Sequence, residues 1–128
     1  MSILDDIGTV LSDAGLVDGA SGWKLYKSYM PDSPDKAIAL FESGGKIPDQ
    51  TTGTSHDFPD FQVRGRAGAF GYEILRTKMQ AIFNELNDST ISGYIYVFAS
   101  QSGPMPMGYG KGDNRPELSW NFTTMKVR

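Results

Sequence analysis

His56 beside Asp57 is the first place to look for chemistry, because a histidine next to a carboxylate is the minimum for an oriented general base. The pair stands in a polar loop, and a serine-type triad needs a rigidly held histidine and a nucleophile; no nucleophile-elbow motif is present. A zinc site needs three or four converging ligands, and this chain offers one His and no Cys. Gly44-Gly45-Lys46 and Gly108-Tyr109-Gly110-Lys111-Gly112 resemble phosphate loops, but neither runs into a helix with the Ser or Thr that such a loop requires. Both are expected as turns. Asp32, Asp35, Glu42, Asp57 and Asp60 fall in separate segments, so they are read as solvated acids. The expectation is no catalytic residue, no metal, no cofactor and no enzyme activity.

Other residues suit contact better than catalysis. In Phe61-Gln62-Val63-Arg64-Gly65-Arg66 the strand period puts Phe61 and Val63 on one side and Gln62, Arg64 and Arg66 on the other. The second set is either a solvated face or an interface. Asp113 and Arg115, in the polar run before Leu118, join Gln62, Arg64 and Arg66 as candidate interface residues. Lys46, Asp49, Thr52, His56 and Asp57 lie in the long Gly44–Pro59 run, expected as a partner-contacting loop, since long loops without internal structure are usually functional or disordered. Tyr94, Tyr96 and Phe98 could stack single-stranded nucleic acid. A net charge of -3 opposes that, because nucleic-acid affinity comes from clustered Lys and Arg displacing counterions.

Elements must position these residues. Ile3, Leu4, Ile7, Val10 and Leu11 recur at helical spacing, predicting a helix from Ser2 to about Leu16, capped by Ser2 and favoured by Asp5 and Asp6 at its positive end. Leu75, Met79, Ile82, Phe83 and Leu86 predict a longer helix over Phe70–Leu86. Strands are expected at 22–29, 37–41, 61–66, 91–99, with Ile95 beside Val97 on one face, and from Leu118 to as far as Val127. Ser100–Gly112 reads as a second long loop. The expected fold is α+β: one mixed or antiparallel sheet of about five strands, packed by one long and one N-terminal helix, as a single domain over 1–128. With 128 residues such a domain holds one core without staples. The first residues lack a signal-peptide pattern, and no run approaches the ~18 apolar residues of a membrane span. A soluble protein with no membrane partner is expected, made in the host cytoplasm.

Taken in order, Pro31-Asp32-Ser33-Pro34-Asp35-Lys36-Ala37-Ile38-Ala39-Leu40-Phe41-Glu42-Ser43-Gly44-Gly45-Lys46-Ile47-Pro48, then Phe61 to Arg66 and the following helix, then Gly103-Pro104, Gly108 and Asp113-Asn114-Arg115-Pro116-Glu117-Leu118-Ser119-Trp120-Asn121-Phe122, resemble the minor capsid and tail terminator (tail-completion) proteins of tailed bacteriophages. The resemblance implies a structural virion protein of the tail or neck. It implies a homo-oligomeric ring, usually of six copies, on the head-proximal end of the tail tube, ending tube growth and offering a surface to the head connector. Its partners would be itself, the tube protein and a connector or neck protein, with DNA passing through the lumen without specific binding. Thr51–Phe58 and Ser100–Tyr109 depart from the pattern. A compact domain of this size approximates a sphere of roughly 18 Å radius, and six in contact leave a hole about 36 Å across. A head-completion or neck protein is the alternative, followed by a single-stranded nucleic-acid-binding module.

Overall fold

The computed structural model describes residues 2–45, 56–110 and 112–127. Helix α1 spans Ile3–Asp13 and helix α2 Tyr72–Leu86. The strands are β1 Lys24–Lys27, β2 Ala37–Glu42, β3 His56–Asp57, β4 Asp60–Arg66, β5 Tyr94–Ala99, β6 Met105–Tyr109 and β7 Pro116–Val127. Lys46, Asp49 and Thr52 lie outside the described residues.

The start of α1 follows from its sequence. Ser2 Oγ accepts from the Asp5 N–H, while the Asp5 carboxylate accepts from the Ser2 N–H, so two otherwise orphaned donors are satisfied reciprocally. Ile3, Leu4, Ile7 and Leu11 are then buried on one face. On α2 the predicted stripe is the buried one: Leu75, Met79, Ile82 and Leu86. Phe83, at its margin, stacks on Trp120 at 4.5 Å between ring centres.

All strands join one mixed sheet: β1 lies parallel to β2, and the other pairings are antiparallel. β7 is its hub. β4 pairs with β7 from Asp60↔Thr123 to Arg66↔Glu117, and β3 extends the same edge at His56↔Val127. On the opposite edge β5 pairs at Tyr94↔Lys126 to Ala99↔Phe122, and β6 continues at Met105↔Ser119 to Tyr109↔Pro116. The seven strands therefore fill five lanes, in the order β1, β2, β3/β4, β7, β5/β6. The expected five-strand α+β sheet is present, with two lanes interrupted.

Both helices lie on one face, in a single core with Ile38, Leu40, Phe61, Val63, Leu118, Trp120 and Phe122. Phe61 and Phe122 stack at 5.1 Å across their register pair. Burial of each such ring stabilises the fold by about 1.5–3 kcal/mol. Gly65 lets α2 come close: a Cβ there would sit 2.7 Å from Leu75 Cδ1 and 2.8 Å from Met79 Sδ.

Three expectations are corrected. The Gly44–Pro59 run is not wholly loop, because His56 and Asp57 pair with β7. The Ser100–Gly112 run contains β6. The strict alternation expected through β5 fails at a bulge between Tyr94 and Tyr96. The extra residue is Ile95, which is 52% exposed while Tyr94 and Val97 both turn inward.

Candidate functional site

The histidine–aspartate dyad dissolves once β3 is in place. Consecutive strand residues point to opposite faces, so His56 and Asp57, opposite Val127 and Lys126, cannot aim at one substrate. Among the described residues no group of three or more His, Cys, Asp or Glu is arranged to hold a metal. The glycines of 108–112 close β6 and turn into β7, not into a helix. The candidate contact residues fall on three parts of the fold.

The face of the sheet away from the helices is the first. Gln62 and Arg64 lie on it, as the alternation predicts. Gln62 Nε2 donates to Asn121 Oδ1 at 2.9 Å, and Arg64 Nε donates to Gln62 Oε1 at 2.6 Å. The Arg64 guanidinium also covers the Phe41 ring at 4.7 Å. Tyr96 and Phe98 lie opposite Met125 and Thr123 on this face and stack at 5.1 Å. The result is a half-exposed surface of amides, rings and one guanidinium.

The second surface is the sheet end where the 31–36, 67–71 and 110–115 segments meet. Arg66 shares the parity of Arg64 but is only 5% exposed. It donates from Nη2 to the Pro34 carbonyl at 2.6 Å and from Nε to the Asp35 carbonyl at 3.2 Å. Arg115 donates to the Asp32 carbonyl (2.6 Å) and carboxylate (2.7 Å), to Asp35 (3.3 Å) and to Asp113 (2.8 Å). Both guanidiniums therefore bind their own chain. They fasten the 31–36 segment, and the carboxylates of Asp32, Asp35 and Asp113 are exposed around Arg115. Hydrogen bonding to Asp32 pushes Arg115 above the usual guanidinium value. The backbone N–H of Arg115 leads the effects holding Asp113 below the usual carboxylate value. Phe70, which no sequence signal singled out, stands 75% exposed at this end with φ +58. A β-branched or bulky residue in that region is a true outlier.

The third surface is the pair of sheet edges, and they differ. The free edge of β1 is closed by its own chain: Leu25 N–H donates to Asp18 Oδ1 at 3.0 Å, and the Trp23 carbonyl accepts from Asp18 N–H at 2.6 Å. Along β7, the Pro116 carbonyl accepts from Ala67 on the β4 side and the Asn121 carbonyl from Ser100 on the other, which fixes the direction of each residue. The backbone N–H and C=O groups of Val97 and Ala99 then point away from β7, in the plane of the sheet. The Val97 carbonyl accepts from Asp88 N–H at 2.7 Å, and Ala99 N–H donates to Asn87 Oδ1 at 2.8 Å, so the C-terminal end of α2 closes β5. At β6 the outward position opposite Leu118 is Pro106, which has no N–H to give. Gly108, at φ +87, lies within a second irregularity. All five β6 residues are exposed, Met105, Met107 and Tyr109 among them.

A model of the family described as bacteriophage tail terminator protein matches residues 8–128. The chain belongs to that family. It is a structural protein of the virion tail. A chain of the "Virion of native gene transfer agent (GTA) particle" has the same fold, at a TM-score of 0.77 and 11% identity, covering 99% of this chain and 96% of that one. No curated protein matches the sequence. Membership in the terminator family implies contacts with other tail or head proteins. No helix among the described residues is long and apolar enough to cross a membrane.

Proposed function

We propose that copies of this chain form a closed ring, of six subunits by family resemblance, on the head-proximal end of the tail tube. The ring ends tube polymerisation and gives the head connector a surface to dock on. The observation that carries the reading is the family match over nearly the whole chain. Such a molecule works through contacts. The open sheet face with Gln62 and Arg64, the acid-rich end with Asp113 and Arg115, and the segment from Lys46 through His56 and Asp57 are the surfaces assigned to tube and connector. Phe70 belongs with the acid-rich end, since an exposed aromatic held on left-handed backbone is a costly arrangement that a contact would explain.

Deleting the protein tests this reading. Electron microscopy of the lysate should show overlong tails without heads. Normal-length tails beside heads that leak DNA would assign the chain to the neck instead. Phe70→Asn, a residue that tolerates left-handed backbone, should leave thermal stability within about 0.5 kcal/mol. The yield of joined particles should fall, as counted on grids.

A further inference from the structure

We infer that the 31–36 segment is a strap in two parts: residues 34–36 are a base fixed on Arg66, and residues 31–33 are a tip that Arg115 holds and can release. The inference concerns the chain on its own and goes beyond the ring reading.

The segment joins β1 to β2 without regular structure, and residues 32–36 are all exposed. None of its residues belongs to the core. Pro31 and Pro34 have no N–H to give. Among the described residues, 31–35 make no hydrogen bond to another main-chain group. The first is made by the Lys36 carbonyl, which accepts from Lys24 N–H at 3.3 Å. The segment is therefore held by side chains, and its donors are the two guanidiniums. A stretch with few buried contacts and little backbone bonding belongs to the low-stability end of a protein.

The two arginines do not hold it equally. The bonds from Arg66 to the Pro34 and Asp35 carbonyls are charge-assisted and shielded from water, which is the strong kind. Chain continuity adds to them, because Ala37, the first residue of β2, is fully buried. Arg115 holds the other half, through the Asp32 carbonyl and carboxylate. The Asp32 side chain is 97% exposed, so water and salt compete for it directly. Ion pairs to such a carboxylate contribute little. Ser33 makes no hydrogen bond among the described residues and adds nothing to the hold. The difference in strength assigns the movement to the tip and the hinge to the base.

Release leaves a defined state behind. Asp113 holds Arg115 independently of the strap, accepting from its backbone N–H at 3.0 Å and from Nε at 2.8 Å. The guanidinium therefore keeps its aim when Asp32 leaves. Nη1 retains the Asp35 carboxylate at 3.3 Å on the fixed side, while Nη2 loses its one acceptor among the described residues and turns to solvent. Closed, this end of the sheet presents Asp32 paired over Arg115. Open, it presents a guanidinium edge that the closed form covers. The strap thus gives one end of the molecule two electrostatic states, and a neighbour that favours either shifts the balance between them.

The absence of cysteine makes site-specific labelling clean. Ser33→Cys in the tip and Lys36→Cys at the base each carry a nitroxide, and the purified protein is read by electron paramagnetic resonance. At low salt the Ser33 label should be largely immobile. In about 1 M NaCl, where the Debye length is about 3 Å, its mobile fraction should rise several-fold. Arg115→Gln should give that rise at low salt. Asp32→Ala, at a side chain almost wholly in water, should act in the same direction and guards against misfolding of the Arg115 variant. The Lys36 label should not change under any of these conditions. A Ser33 label that stays immobile in high salt and in both variants overturns the inference, and so does one already mobile at low salt without them. A Lys36 label that loosens together with Ser33 would make the segment a single unit and overturn the division into tip and base.

Discussion

Arg66 shows how little a surface charge pattern says about where a guanidinium ends up. Its donors hold the Pro34 and Asp35 carbonyls under a nearly closed surface, so Arg66→Glu would set a buried carboxylate against carbonyl oxygens. A loss of about 3–5 kcal/mol is expected, read from urea unfolding, and the variant should fail to accumulate as folded protein. Acid weakens the neighbouring Arg115 cluster. Asp113 and Asp5 are both held below the usual carboxylate value, Asp113 first by the backbone N–H of Arg115 and Asp5 first by its hydrogen bond from Lys27. A depressed folded pKa means stability that is full above the unfolded value, about 4, and lost as pH falls through the folded one. Urea midpoints should therefore drop below about pH 4. Tyr94 has the opposite sign. Burial, and then its 2.8 Å bond to Asp6, push the phenol above its ordinary value, so its contribution is full below about pH 10 and declines as pH rises through the folded pKa. Tyr94→Phe should cost about 1 kcal/mol at neutral pH and flatten the alkaline decline.

At the scale of elements, the packing of α2 on β4 depends on the missing side chain of Gly65. Gly65→Ala would force Leu75 and Met79 to move and should cost about 1–3 kcal/mol, seen as a lower urea midpoint with an unchanged slope. Asn87→Ala should free the Ala99 N–H at the β5 edge and raise turbidity on warming, since an uncovered edge invites strand pairing. Both helices and the lanes of β1, β2, β4, β5 and β7 were legible in the sequence, because their apolar spacing is a local property. β6 was not. Met-Pro-Met-Gly-Tyr has the composition of a turn, and only pairing with β7 makes it a strand. The exposure of Ile95 was hidden for a related reason: a bulge shifts parity without leaving a mark in the alternation. Alternation placed Arg66 on the correct face, yet nothing local tells that the 31–36 segment folds over it. The ordered resemblance to tail terminators carried the functional reading, which no single residue supplied.

For the whole molecule, the net charge of -3 has a consequence for the proposed ring. DNA traversing an acidic lumen meets little that holds phosphate, so assembled rings should not retard duplex DNA in a gel at physiological salt. A stable, steeply salt-dependent complex would instead favour the nucleic-acid-binding alternative. The hub position of β7 has a different consequence, one of timing. This strand joins β3 and β4 on one side to β5 and β6 on the other, and the ribosome makes all four before it. Until then the β1–β2–β4 sheet has an open edge, and β3, β5 and β6, whose pairings among the described residues are all with β7, have no partner strand. Contacts this distant in sequence are slow to close, and unpaired edges are prone to stray association meanwhile. Nascent chains arrested before Pro116 should be cut readily by protease. Those long enough to release Val127 from the exit tunnel should resist.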